Sequence, residues 1–194
     1  MPNAALHKYA ELLQKWQRAI NLVGPDTLNN IERRHFDDSA QLSELIPEKA
    51  QILFDFGSGA GFPGMVLAML RPELKVHLVE SDHRKCTFLS TVSRETMTPV
   101  TIYNERIESL STETVPDIIT ARALAPLDKL LSYAMPWGIK NPSLILLFLK
   151  GGRAGEEIEA ARKNYDFTLE KFPSASDPSG CILKITNLAV RKKD

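Results

Sequence analysis

Three glycines at alternate positions stand directly after a short apolar run. The run 52–56 reads Ile-Leu-Phe-Asp-Phe, and Gly57, Gly59 and Gly61 follow it, with Pro63 two residues later. Glycine permits positive φ and lets a ligand approach the backbone, and proline fits the first turn of a helix. We therefore predict a strand-to-helix turn with a ligand above it.

Two acidic residues near this turn bear on the kind of ligand. Asp55 lies two residues before Gly57, where a carboxylate would repel a pyrophosphate but suits an amino group. Glu80 ends the next apolar run, where a carboxylate can accept hydrogen bonds from both ribose hydroxyls. Asp55 favours S-adenosylmethionine, which carries an amino acid and a sulfonium but no phosphate, whereas Glu80 suits either this cofactor or a dinucleotide. The literal G-x-G-x-x-G match that begins at Gly59 keeps a nicotinamide-dependent oxidoreductase as the alternative.

Beyond Pro47, short apolar runs alternate with helical patterns, as in a mostly parallel sheet covered on both faces. The predicted strands are 52–56, 76–80, 100–103, 117–120, 144–149, 167–172 and 182–188. The predicted helices between them are 63–70, 84–95, 127–135 and 156–165. Only a turn-rich segment separates the last two strands, so we expect them to be antiparallel.

Residues 1–49 precede this pattern and are predicted to form a helical extension of the same domain. One helical pattern begins at Leu6 and ends at Gly24-Pro25, and a second runs from there to Pro47. We expect a single domain, in which residues 50–194 form a Rossmann-like core.

A few side chains of the extension have two interpretations. Tyr9 and Trp16 would suit base stacking, but their place on the apolar face of the first helix favours core packing. His35, Asp38 and Ser39 have a helical spacing that would let all three face the ligand crevice, or leave them as ordinary solvated groups.

Charge and cysteine usage exclude several classes of protein. The chain has 24 Lys+Arg and 24 Asp+Glu, so a nucleic-acid substrate would require a local patch or a structured partner. Cys86 and Cys181 form no CxxC pair, which argues against a metal site and fits a reduced, cytoplasmic setting. No apolar run approaches the roughly 20 residues that span a bilayer. We expect no metal cofactor and no membrane association.

Six sequence elements, taken together, resemble one known family. They are the glycine turn with Phe62-Pro63-Gly64, His35-x-x-Asp38-Ser39, Leu78-Val79-Glu80-Ser81, Arg106-x-Glu108, Arg122-Ala123 and Lys150-Gly151. Over most of the chain this set resembles the bacterial 16S ribosomal RNA guanine-N7 methyltransferases, also called the glucose-inhibited division protein B family. The resemblance implies an α/β fold of the class I S-adenosylmethionine-dependent methyltransferase type, with an antiparallel last strand.

The same resemblance implies the activity and the partner. The enzyme would transfer a methyl group from S-adenosylmethionine to N7 of a guanine in the 530-loop region of 16S ribosomal RNA. Its substrate would be the small ribosomal subunit or an assembly intermediate, and we expect a monomer in the cytoplasm. A cofactor-binding assembly factor without catalytic activity is a further alternative.

The resemblance also implies site residues. Gly57 and Phe62 would contact the cofactor in the turn, Ile107 and Glu108 would contact its adenine end, and Arg122 would lie beside its reactive end. The full set of expected cofactor-binding residues is Asp55, Gly57, Gly59, Gly61, Phe62, Glu80, Ile107, Glu108 and Arg122.

Methylation at guanine N7 requires no general base, because the ring nitrogen has an exposed lone pair that attacks the methyl group directly. Positioning and exclusion of water would then carry the catalysis. Neither an Asn-Pro-Pro-aromatic segment at 120–126 nor a nucleophilic-cysteine motif around Cys86 is present. Arg122 and Lys150 lie just beyond the carboxyl ends of the fourth and fifth predicted strands, and we expect them to act as catalytic-site cations on RNA phosphates or guanine O6.

Overall fold

The computed structural model describes residues 2–192, whose strands form one seven-stranded sheet. The strands are β1 (Ile52–Phe56), β2 (Lys75–Val79), β3 (Thr101–Tyr103), β4 (Ile118–Arg122), β5 (Ile145–Lys150), β6 (Tyr165–Pro173) and β7 (Cys181–Val190). Their spatial order is β3-β2-β1-β4-β5-β7-β6, with β1 to β5 parallel and β7 antiparallel to both of its neighbours. The predicted antiparallel final pair is confirmed.

Helices cover both faces of this sheet. They are α1 (Pro2–Gln17), α2 (Asp38–Ala40), α3 (Gly64–Leu70), α4 (His83–Thr96), α5 (Leu127–Lys140) and α6 (Ala154–Ala161). The start of α4 is fixed by Asp82, whose side chain accepts from the N–H groups of Arg84 and Lys85. The prediction of a helix over 156–165 is wrong at its end, because Tyr165 pairs with Val190 and opens β6.

The second helix predicted for the extension is also wrong as a single element. The segment is a series of short turns: a 3₁₀ helix Pro25–Asn30, a π-helical stretch Glu32–Asp37, α2, and a 3₁₀ helix Gln41–Leu45. Ile31 and Phe36 are both buried although they are five positions apart, a spacing that a π turn satisfies and an α turn does not. The same π turn brings His35 into the interior.

The extension packs into the same core as the sheet. Tyr9 and Leu13 of α1 are fully buried with the residues of α3 and α4 on one face, while α5 and α6 cover the other. Core packing of Tyr9 is therefore confirmed, and Trp16 packs at the edge of this core with its ring 5.7 Å from that of Phe88. Over residues 2–192 no helix has the length and apolar character that crossing a membrane requires.

Candidate functional site

A crevice of about 930 Å³ lies at the carboxyl ends of the parallel strands. The chain runs from β1 outward to β3 and then returns to β4 on the other side of β1, so the strand order reverses between β1 and β4. Open α/β sheets bind ligands at such a switch point. Eight of the predicted site residues line the crevice: Gly57, Gly59, Phe62, Glu80, Ile107, Glu108, Arg122 and Lys150.

The glycine turn has the backbone that the sequence predicts. Gly57, Gly59 and Gly61 all have positive φ, at 63°, 57° and 99°. A Cβ on Gly57 would lie 2.5 Å from Cδ1 of Leu124, whereas a Cβ on Gly59 would meet only a backbone oxygen at 3.8 Å. The backbone conformation favours glycine at both positions, and a Cβ on Gly57 would in addition force the Leu124 side chain to move.

Glu80 holds the turn from the end of β2. Its Oε2 accepts from the N–H of Gly59 at 2.8 Å, and its Oε1 accepts from the N–H of Asp82 at 2.8 Å. The strand ends at Val79, one residue before the predicted end, so Glu80 lies at the sheet edge and lines the crevice.

Asp55 and Gly61 do not line the crevice. The Asp55 carboxylate is fully buried, accepting from the Thr120 hydroxyl at 2.8 Å and from the N–H of Gly64 at 3.1 Å. Burial raises the pKa of Asp55 to about 6. The carboxylate lies behind the turn, unlike the ligand-facing position that we predicted, because Asp55 is inside β1 and its side chain projects from a face of the sheet.

Tyr9 reaches the turn from α1, a contact that the sequence does not signal. Its hydroxyl donates to the carbonyl oxygen of Ala60, and a Cβ on Gly61 would lie 2.5 Å from that hydroxyl. Its ring stacks on Phe62 at 5.3 Å and on Phe36 at 5.4 Å. Burial raises the pKa of the Tyr9 phenol well above its ordinary value, so the hydroxyl remains a donor.

Arg122 is held in place by the extension. Its guanidinium donates to Oδ2 of Asp38 at 3.2 Å, to the carbonyl oxygen of Arg34 at 3.2 Å and to Nδ1 of His35 at 3.0 Å. Its Cζ lies 4.8 Å from the centre of the Phe62 ring, a cation–π distance. The Arg122 guanidinium is thus held in a fixed orientation beside Phe62 of the glycine turn, and its place at the reactive end of a cofactor stays a prediction.

His35 is a neutral member of this cluster. Burial, and then the charge of Arg122, lower its pKa to about 4. Since Nδ1 accepts from Arg122, the proton is on Nε2, which lies 2.9 Å from the Thr27 hydroxyl. Of the three residues for which two interpretations were open, His35 and Asp38 line the crevice, whereas Ser39 is buried and donates to the carbonyl oxygen of His35 at 2.6 Å.

The loop 174–180 between β6 and β7 forms another part of the wall, which sequence reasoning missed. Oδ1 of Asp38 accepts from the hydroxyls of Ser174 and Ser176, and Arg34 lies 3.6 Å from Asp177. In the sequence this segment signals only a turn, because its partners are more than a hundred positions away.

Ile107 and Glu108 lie in a 3₁₀ turn, Ile107–Ser109, after β3. The Tyr133 hydroxyl donates to Oε1 of Glu108 at 2.9 Å. A hydrogen bond from its own N–H and this one hold the pKa of Glu108 below its ordinary value. The two residues line the crevice on the β2 side, together with Arg106.

Lys150 lines the opposite wall, and its ammonium has protein partners. Nζ lies 2.6 Å from Oε2 of Glu157, and the Lys150 side chain is only 8% exposed. We predicted that Lys150 would offer its charge to RNA phosphates or guanine O6. In the structure its side chain is buried and its ammonium is paired with Glu157. Glu157 was not predicted, since nothing in the sequence distinguishes it from other acids of a helix.

Within the described part of the chain, no group of His, Cys, Asp and Glu side chains has the arrangement of a metal site.

The amino-acid sequence matches a family model over residues 2–178, and that family is described as rRNA small subunit methyltransferase G. The chain belongs to this family. A ribosomal RNA small subunit methyltransferase G of Paramagnetospirillum magneticum is 50% identical over 185 residues, covering 95% of this chain and 88% of the relative. One of Parvibaculum lavamentivorans is 47% identical over 187 residues, covering 94% and 82%. The family recognised from the six sequence elements is confirmed, which argues against the nicotinamide-dependent alternative.

Solved structures resemble the fold. A ribosomal protein L11 methylase from Lactobacillus delbrueckii superposes with a TM-score of 0.60 at 15% identity, covering 77% of this chain and 76% of that one. The N-methyltransferase NodS from Bradyrhizobium japonicum, in complex with S-adenosylhomocysteine, superposes with a TM-score of 0.57 at 15% identity, covering 96% and 100%. The predicted class I S-adenosylmethionine-dependent methyltransferase fold is confirmed.

Proposed function

We propose that this chain transfers a methyl group from S-adenosylmethionine to N7 of one guanine in the 530-loop region of 16S ribosomal RNA. The observation that carries the proposal is a crevice at the switch point that joins a glycine cradle to a fixed guanidinium, in a chain of the small-subunit methyltransferase family. We place the reaction in the cytoplasm, on the small subunit or an assembly intermediate, with the enzyme as a monomer.

The crevice residues fit S-adenosylmethionine, which supplies the methyl group on a sulfonium. Gly57 and Gly59 leave the backbone open to a ligand. Each Glu80 oxygen accepts one backbone N–H and keeps a lone pair for a ribose hydroxyl. Ile107 offers an apolar side chain to the adenine end. Among the predicted cofactor residues, Asp55 and Gly61 act from behind the turn.

The size of the crevice supports a second ligand beside the cofactor. At about 930 Å³ it lies near the upper end of the range of small-molecule sites, which is roughly 300–1,000 Å³. A guanine that enters next to Arg122 would meet a cation suited to O6. The loop 174–180 and the glycine turn bound this space.

The protonation of the site supports an acceptor that needs no activation. His35 lines the crevice, but its Nδ1 lone pair accepts from Arg122 and its Nε2 proton is directed to Thr27. The Asp38 carboxylate is shared between Arg122 and the two serines. These groups position their neighbours and leave no free base at Arg122, which agrees with attack by the N7 lone pair and catalysis by orientation.

The balanced charge of the chain supports a ribonucleoprotein substrate. With 24 basic and 24 acidic residues, the protein lacks the general attraction that free RNA would require. We expect methylation of small subunits or assembly intermediates to exceed methylation of naked 16S RNA at the same salt concentration.

The test is transfer of labelled methyl from S-adenosylmethionine to small subunits purified from a strain that lacks the gene. Label should appear at one guanine of 16S RNA, and chemical cleavage at N7-methylguanine should map it to the 530 loop. Label on ribosomal protein, or on another RNA position, would contradict the proposal. Cofactor binding by calorimetry without any transfer would favour the non-catalytic assembly factor.

A further inference from the structure

The Lys150–Glu157 ion pair also makes hydrogen bonds to the backbone that follows β4, where residues 123–126 connect β4 to α5. Nζ of Lys150 donates to the carbonyl oxygen of Ala125 at 2.7 Å. Oε2 of Glu157, 2.6 Å from that Nζ, accepts from the N–H of Leu127 at 2.9 Å. Lys150 ends β5 and Glu157 lies on α6, so the pair ties residues 125 and 127 to two other elements.

The segment 123–126 is stabilised neither by a favourable backbone conformation throughout nor by a side-chain N-cap for α5. Ala123 has φ of 52°, a left-handed conformation that costs free energy in a residue other than glycine. Leu127 begins α5, but the N-cap is Pro126, which makes no side-chain capping bond. Glu157 supplies the acceptor that a capping side chain would give to a helix N-terminus.

The same segment is a wall of the crevice. It follows Arg122 directly, and Leu124 packs against the glycine turn, where a Cβ on Gly57 would lie 2.5 Å from Cδ1 of Leu124. Residues 123–126 therefore bound the crevice between Arg122 and the glycine turn. A displacement of about 1 Å in a reacting geometry can reduce a rate roughly a hundredfold, so the position of this segment matters for transfer.

We infer that Lys150 and Glu157 are positioning residues, which together hold the segment 123–126 in place for methyl transfer without touching the RNA. The activity test rests on the function proposed above, but the hold on the backbone does not. The ammonium is neutralised by Glu157 and satisfied by the Ala125 carbonyl, so its charge acts on the protein itself.

The first experiment compares Lys150→Met, Lys150→Arg and Glu157→Gln as complete proteins. Lys150→Met should lower kcat by about 10- to 100-fold, because the segment loses its hold. The KM for small subunits and the Kd for S-adenosylhomocysteine should stay within about twofold of wild type, a difference below 0.5 kcal/mol. Lys150→Arg keeps donors for both acceptors and should restore most of kcat. The double variant Lys150→Met/Glu157→Gln should be no slower than Lys150→Met alone, since the pair acts as one unit.

Lys184 provides a matched control. It forms an ion pair with Glu170 at 3.0 Å between β7 and β6, and neither residue lines the crevice. Lys184→Met should leave kcat unchanged. An equal loss of kcat in this variant would overturn the inference, because it would assign the effect to general destabilisation.

A direct RNA contact by Lys150 gives the opposite pattern. Lys150→Met would then raise KM with kcat unchanged and would reduce the salt dependence of RNA binding by about one phosphate contact. Glu157→Gln would free the ammonium and tighten RNA binding. Either result would overturn the inference.

A second measurement is independent of activity. In Glu157→Ala the Leu127 amide loses its acceptor, so its hydrogen exchange should become faster than in wild type, with exchange in the core of α4 unchanged. Unchanged protection at Leu127 would overturn the inference even if methylation is observed. If wild type methylates no guanine, the proposed function fails, and this exchange result still decides whether the pair holds the segment.

Discussion

Nδ1 of His35 accepts a hydrogen bond from the Arg122 guanidinium at 3.0 Å, and the two side chains lie against the same Phe62 ring. Protonation of His35 would place two cations in direct contact and remove an acceptor from Arg122. The orientation of Arg122 therefore depends on a histidine that stays neutral at physiological pH.

We predict that His35 titrates with a pKa of about 4, as its burial and Arg122 dictate. Its folded pKa lies below its ordinary value of 6.5, so the unfolded chain binds the proton first and His35 lowers stability as pH falls from about 6.5 towards 4. Methyl transfer should show no inflection near pH 6.5 from this group. The effect of Asp55 on the pH dependence of stability has the opposite sign. Its folded pKa lies above its ordinary value, so the folded chain holds the proton longer and stability falls as pH rises from about 4 to about 6.

Site-resolved NMR titration of the His35 imidazole distinguishes the protonation of His35 from that of Asp55. Arg122→Met should raise the midpoint for His35, because it removes a cation from Nδ1, although burial will keep it below 6.5. A wild-type midpoint near 6.5 would contradict the neutral state.

Tyr9→Phe should weaken cofactor binding from a distance. The change deletes only the hydroxyl that donates to Ala60, so it leaves a turn carbonyl without its donor and should lower the free energy of unfolding by about 1–3 kcal/mol. We expect the Kd for S-adenosylhomocysteine, measured by calorimetry, to rise by about tenfold, or 1.4 kcal/mol.

Phe36→Leu is the control for Tyr9→Phe, since Phe36 belongs to the same aromatic stack but has no hydroxyl to donate to Ala60. It should lower stability and leave the Kd nearly unchanged. Equal loss of affinity in both variants would mean that Tyr9 supports the fold only.

Gly57→Ala should be more damaging than Gly59→Ala, although both residues have positive φ. Each alanine incurs backbone strain of about 1–2 kcal/mol, and only that on Gly57 also meets Leu124 at 2.5 Å. The double variant Gly57→Ala/Leu124→Ala should recover part of the lost affinity for S-adenosylhomocysteine, with Leu124→Ala as its reference. No recovery would show that Leu124 is not the obstacle.

His77→Phe should stabilise the protein. The His77 ring lies between Phe54 and Tyr103, and among the described residues its buried Nδ1 has no hydrogen-bond partner. Removing this orphaned atom should add about 1 kcal/mol, or about 2–4 °C in Tm for a chain of this size.

The pH dependence of that variant gives a second check. Burial, with the charge of Lys75, lowers the pKa of His77, so the unfolded state takes up the proton first and stability falls as pH drops below the ordinary value of 6.5. Thermal unfolding of His77→Phe should therefore depend less on pH between 7 and 5. A slope equal to that of wild type would show that His77 does not contribute, whatever the change in Tm.

The sequence predicts the position of a site residue best where that position follows from the end of a strand. Glu80 and Arg122 stand at the carboxyl ends of β2 and β4, so their edge of the sheet is determined by strand direction alone. Asp55 lies inside the predicted strand 52–56, and β1 has the same bounds. Successive side chains of a strand alternate between the two faces of the sheet, and the sequence does not show which way Asp55 points relative to the ligand, so its burial behind the turn was not predicted.

What could not be predicted depends on contacts between distant positions. The Tyr9 hydroxyl donates to the Ala60 carbonyl, 51 positions later in the sequence. Asp38 accepts from serine hydroxyls 136 and 138 positions later. Local patterns contain no information on such pairs. The π turn is different, since the spacing of five between Ile31 and Phe36 was visible, but it is read as an irregular α pattern unless π geometry is considered.

The attachment of loop 174–180 to Asp38 has a consequence for how the protein is made. During translation the extension and β1 to β5 are synthesised before this loop and β7. The strand β7 pairs with the edge of β5. Until then one wall of the crevice is missing, and Asp38 has Arg122 but not its serines. A half-synthesised chain therefore does not present a finished crevice, and the last strands of the sheet set the moment at which the enzyme becomes competent.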